Sequence, residues 1–156
     1  MPAYSFQERF VPMVLDGSKD CTIRGRRSKG FAKPGDTLYH YFGMRTKWCR
    51  KLREEKCTAV HTIIIEKDSI ITIPRRLTDQ EIADTPWNDI KEELQVLSTK
   101  EMNLLAWRDG FRPEGSTADN PKGAWQLMKE FWMETHTLPF IGDHIYWNPT
   151  CNKPSK

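Results

Sequence analysis

The sequence predicts an α+β fold, with strands concentrated in the first half, helices after them, and a last strand returning to the sheet. Short runs rich in Val, Ile, Thr and aromatic residues recur between residues 21 and 73, separated by Gly, Pro, Asp and Lys. Beyond residue 98, two segments repeat apolar residues at helical spacing. His144-Ile145-Tyr146-Trp147 is a further β-favouring run near the end. So many short strands suggest a small, partly closed β-barrel of mixed strands with the helices packed on one side.

Residues 2–6 read as the first strand, followed by a helix of about ten residues through Phe10, Met13 and Val14 that stops at Gly17. Pro12 is tolerable there only in an opening turn. Cys21-Thr22-Ile23 begins the second strand, and a basic loop leads to Lys33-Pro34-Gly35-Asp36, a turn signal that launches a strand over 37–42. Residues 57–66 and 70–73 read as a hairpin across Lys67-Asp68-Ser69. Thr78 opens a short acidic helix over 79–84 that Pro86 ends. Ser98-Thr99-Lys100-Glu101 matches the capping box, predicting a helix over 99–108 that Asp109-Gly110 breaks. A second amphipathic helix is expected over 121–134, with Trp125, Met128, Phe131 and Trp132 as core.

A chain of 156 residues can bury a core without metal or disulfide support, and it reads as one domain over 1–148 with a frayed tail over 149–156. The four cysteines form no CxxC pair and have no Cys/His ligand spacing, so reduced thiols and a cytoplasmic location are expected. The longest apolar run, Ile63-Ile64-Ile65, is too short to cross a bilayer, so no membrane partner is expected. No GxGxxG or P-loop pattern occurs, which argues against dinucleotide binding and triphosphate hydrolysis. The four histidines are scattered, and neither a metal nor another cofactor is expected. His40 reads as an ordinary strand residue or as the base of a ribonuclease reaction.

The net charge of +3 conceals a basic segment. Residues 19 to 56 carry twelve Lys or Arg against four acids, with Phe31, Tyr39, Tyr41, Phe42 and Trp48 among them. Cations that neutralise phosphate beside rings that stack on bases suit a single-stranded nucleic acid, either RNA or DNA. A solvated face is the alternative. Where this segment begins, Gly17-Ser18-Lys19-Asp20-Cys21-Thr22-Ile23-Arg24 puts a lysine three residues before a threonine, at the mouth of a strand. Thr22 and Arg24 share a strand face, and Lys19 joins them only if the chain is still turning at Ser18 and Lys19. Such a set can bind phosphate or attack a carbonyl; otherwise it is a turn decorated with charge.

Four motifs occur in order: the Gly17 to Arg24 segment, Lys33-Pro34-Gly35-Asp36, Leu105-Ala106-Trp107-Arg108-Asp109-Gly110-Phe111, and Pro139-Phe140-Ile141-Gly142-Asp143-His144-Ile145-Tyr146-Trp147. In this order they resemble the ASCH domain, the activating-signal-cointegrator homology domain, from about residue 4 to residue 147. The resemblance implies a barrel related to the PUA fold, with a cleft between barrel and helices suited to RNA or a nucleoside. The family includes small amidohydrolases that deacetylate N4-acetylcytidine, some ribonucleases, and domains that only bind RNA or DNA. The lysine, threonine and distant acid of the amidohydrolases map onto Lys19, Thr22 and Asp109, the acid being a glutamate in those enzymes.

The expected activity is hydrolytic removal of an acyl group from a modified pyrimidine base. Thr22 is the expected nucleophile, Lys19 the base, Asp109 the acid, and Arg24 the residue that orients the substrate. The expected binding set adds Arg26, Arg27, Tyr39, Tyr41, Arg45, Lys47, Arg50 and Lys51. A single-strand endoribonuclease clamping RNA with residues 45–56 and a non-catalytic RNA or DNA reader are the alternatives.

Overall fold

The computed structural model describes residues 2–84 and 90–147. The expected helix stop at Pro86 and the expected tail lie outside the described residues. The strands are β1 (Ala3–Phe6), β2 (Cys21–Gly25), β3 (Thr37–Phe42), β4 (Arg50–Ile65), β5 (Ile70–Ile73), β6 (Gln95–Val96) and β7 (Phe140–Trp147). The helices are α1 (Val11–Leu15), which follows a 3-10 turn at Glu8–Phe10, then α2 (Asp79–Asp84), α3 (Thr99–Arg108) and α4 (Ala124–Thr135). The α+β class is as expected. No helix among the described residues is long and apolar enough to cross a membrane.

The seven strands form one mixed sheet. β1 pairs with β3 in parallel, and the remaining ladders are antiparallel: β3 with β4, β4 with β5 and β7, β2 with β7, and β5 with β6. Among the described residues, the ladders do not close into a barrel. Among the described residues, no backbone pairing joins β1 to β2. Side chains reach across instead, Arg24 donating to the Ser5 carbonyl at 2.9 Å and Arg27 to that of Ala3 at 3.1 Å.

Three boundaries differ from the sequence expectation for identifiable reasons. β4 begins at Arg50 rather than at residue 57, although Leu52 is the only apolar residue in its first seven. Pairing with β3 holds that charged stretch extended, with Glu55 buried opposite Leu38 and ion-paired to Arg53. The expected ten-residue first helix is divided into the 3-10 turn and the five-residue α1, with Pro12 near the start of α1, where its missing N–H has no intrahelical partner to lose. α4 starts after Gly123, so Pro121 lies in the turn before it.

The core joins the sheet to α3 and α4, with Ile23, Ile63, Ile65 and Ile145 packed among the same buried cluster as Met102, Ala106, Met128 and Trp132. Burial at this scale, about 25 cal/mol per Å² of apolar surface, is the main force fixing the helices to the sheet. α3 carries the expected capping box, Ser98 accepting from the Glu101 amide at 3.1 Å and Glu101 from the Ser98 amide at 2.9 Å.

Candidate active site

The chain leaves α1 through Gly17 at φ +81° and is still turning when it reaches Lys19, whose amide donates to the Met13 carbonyl at 3.1 Å. This turn brings Lys19 to the same side as Thr22 and Arg24. At the far end of α3, Gly110 adopts φ +110°, and a Cβ there would stand 2.6 Å from the Phe10 ring. Glycine therefore lets the end of α3 close onto the α1 region. The preceding residue, Asp109, is thereby carried to the start of β2.

Lys19, Thr22, Arg24 and Asp109 line one cleft of about 290 Å³. The Lys19 ammonium donates to the Asp109 Oδ1 at 2.7 Å and also to the Asp109 carbonyl. Both side chains are buried, and the ammonium also faces the Phe10 ring at 5.0 Å. Arg24 Nε donates to Thr22 Oγ1 at 3.1 Å, and the same guanidinium lies over the rings of Tyr4 and Phe6 at 5.2 and 4.9 Å. Thr22 is thus held by Arg24 and not by Lys19.

Burial raises the Asp109 carboxyl above the ordinary aspartate range, against the opposing pull of Lys19. Burial also lowers Arg24 to about 10, with Asp109 pulling the other way. An acid held toward its neutral form beside an ammonium and a hydroxyl is a set that can move protons.

Much of the remaining wall is aromatic. Phe6, Phe10, Phe111, Phe131, Trp132 and His136 line the cleft, with His136 stacked on Trp132 at 4.2 Å between centroids. This wall was not among the residues expected to bind, since Phe131 and Trp132 read as core from their helical spacing. His136, one residue beyond α4, was the available signal: a polar ring next to the amphipathic stripe.

The remaining expected residues lie elsewhere. Arg26 is ion-paired to Asp143 and Asp79, both at 3.0 Å, and also donates to the Leu77 carbonyl, tying the start of α2 to β7. Arg27 lies over the Tyr4 ring at 4.6 Å. Tyr39 and Tyr41 are half-buried on β3. Arg45 and Lys47 are exposed at the turn joining β3 to β4 and Arg50 is exposed at the start of β4; none of the three is ion-paired among the described residues, whereas Lys51 pairs with Glu54. Between them Trp48 is 65% exposed, with the Lys47 ammonium 4.7 Å from its ring. His40 does not line the cleft. It is fully buried between Phe6 and Trp147, and burial lowers it to about 3. Among the described residues, no group of three or more His, Cys, Asp or Glu side chains is placed to hold a metal.

No protein-family model, curated protein or solved structure gives a significant match to the chain.

Proposed function

We propose that this is a cytoplasmic ASCH-type protein with a PUA-like barrel, and that its cleft hydrolyses an acyl group from a modified pyrimidine base such as N4-acetylcytidine, free or within RNA. The observation that carries this reading is the buried Lys19–Asp109 contact at 2.7 Å, in the same cleft as a threonine hydroxyl bonded by Arg24. The bridging of β1 to β2 by Arg24 and Arg27 supports the barrel.

In this mechanism, a proton passes along the Lys19–Asp109 contact and leaves an amine beside a carboxylic acid. Thr22 Oγ attacks the acyl carbon, its proton goes to Lys19, and Asp109 protonates the departing base nitrogen. Water then attacks the acyl-threonine, giving its proton to Asp109 while Lys19 returns one to Thr22. The aromatic wall stacks the flat base, and the Arg24 guanidinium stabilises the developing threonine alkoxide. The products are the free base amine and a carboxylic acid. Incubation with N4-acetylcytidine, alone and in a single-stranded RNA, followed by chromatography of cytidine and acetate, tests this. Absence of both products with both substrates overturns it.

A second reading, a non-catalytic reader or nuclease of single-stranded RNA or DNA, is favoured by the exposed Trp48 among Arg45, Lys47 and Arg50. The burial of His40 argues against that residue as a ribonuclease base.

A further inference from the structure

A second cavity, of about 310 Å³, lies between α3 and the strands and shares no lining residue with the cleft. On β2, Cys21 contributes to it, while the four residues that follow, Thr22, Ile23, Arg24 and Gly25, contribute to the cleft. Its strand side carries His61, His144 and Tyr146, and its helix side carries Leu104 and Leu105. His61 and His144 are cross-strand partners on β4 and β7. Tyr146 stands 5.0 Å from the His61 ring and 4.2 Å from that of His144, to whose Nδ1 its hydroxyl is bonded at 2.9 Å.

We propose that this cavity is a binding site for a small, uncharged, planar heteroaromatic molecule of one or two rings. Its size and its mixture of leucine, aromatic and a few polar groups are those of small-molecule sites. The absence of charge follows from how the ionic groups around it are engaged. Arg108 is paired to Asp20 at 2.7 Å, and Glu93 to Arg75 at 2.7 Å. Glu101 accepts from Gln95 and from the Ser98 amide, both at 2.9 Å. Among the described residues, the His61 ring, the Thr72 hydroxyl and the buried Nε2 of His144 make no hydrogen bond, and all three groups are uncharged. Burial keeps both histidines neutral, lowering His61 and, more strongly, His144. A flat ring carrying its own donor and acceptor can lie between the leucines and the His61–Tyr146 rings and use these groups. A charged ligand would find these ionic groups already hydrogen-bonded within the protein.

The test is titration of the full-length protein with benzimidazole, followed by NMR of the imidazole Cε1–H signals. Benzoate and benzylamine serve as anionic and cationic controls. Benzimidazole is expected to shift His61 and His144 saturably and leave His136, in the other cavity, unmoved; the two controls should bind at least about tenfold more weakly. Leu104 is 40% exposed, so Leu104→Arg can fill the mouth without burying charge, and it should abolish the shifts. His61→Phe, which keeps a ring but removes its nitrogens, should weaken binding. No saturable shift up to about 10 mM, equal binding of the controls, or unchanged binding to Leu104→Arg would overturn the site. Because His136 reports on the cleft separately, either outcome leaves the proposed hydrolysis to its own assay.

Discussion

Lys19 and Asp109 are ninety residues apart in sequence and 2.7 Å apart in the cleft, and the residues that follow and precede them, Asp20 and Arg108, pair at 2.7 Å with the charges reversed. Two adjacent ion pairs of opposite polarity set the register between the start of β2 and the end of α3. A slip of one residue on one side alone would set Lys19 against Arg108.

Removing one partner of the inner pair leaves a buried charge uncompensated. Asp109→Ala should therefore destabilise the fold by about 3–5 kcal/mol, whereas Lys19→Met combined with Asp109→Leu should recover most of that loss. Urea unfolding monitored by tryptophan fluorescence distinguishes the two.

The threonine and arginine should separate in steady-state kinetics on N4-acetylcytidine. Thr22→Val keeps the β-branched shape and removes the hydroxyl, so substrate binding should persist while kcat falls by at least about 10²-fold. Arg24→Gln should also lower kcat with little change in KM, because its Nε acts through Thr22. A rise in KM with kcat unchanged would assign Arg24 to substrate orientation instead.

For polymer binding, the relevant cations are those without acidic partners among the described residues. Replacing Arg45, Lys47 and Arg50 by alanine should flatten the salt dependence of single-stranded RNA affinity by about 2 in slope, at about 0.7 per lost phosphate contact. Lys51→Ala should change it little, since Lys51 is paired to Glu54. Trp48→Ala should cost about 1–3 kcal/mol if a base stacks there. A filter-binding titration in salt reads all three.

His40 gives the fold an acid sensitivity. Its pKa is lowered from 6.5 to about 3 in the folded state, so the unfolded chain takes up a proton that the folded chain refuses. Through His40, stability should be full above about pH 6.5 and fall by up to about 1.4 kcal/mol per pH unit as pH drops toward 3. His40→Leu should remove this contribution, while the buried His144, shifted in the same direction, adds a slope of its own that the variant keeps. Thermal unfolding across that pH range checks it.

The elements written in local pattern were legible in the sequence. The capping box at Ser98 and Glu101 placed α3, and the turn at Lys33 to Asp36 placed the start of β3. What escaped was decided by distant partners. The first seven residues of β4 have no strand pattern of their own, and the two-residue β6 exists only against β5. Within the candidate site, the lysine and threonine were visible in one segment, but whether Lys19 faced Thr22 depended on the turn after Gly17. Arg26 read as a binding cation because Asp143, which holds it, lies 117 residues away.

The seam between β1 and β2 has a consequence for solubility. Two neighbouring strand edges without a ladder between them are the kind of surface on which another chain adds a strand and aggregates. Here the carbonyls of Ala3 and Ser5 are occupied by Arg27 and Arg24, so an incoming strand meets bulky cations where it would need acceptors. The same guanidiniums that join the sheet across its gap thereby act as gatekeepers against self-association, and a variant lacking both would offer β1 as a template for fibrillar growth.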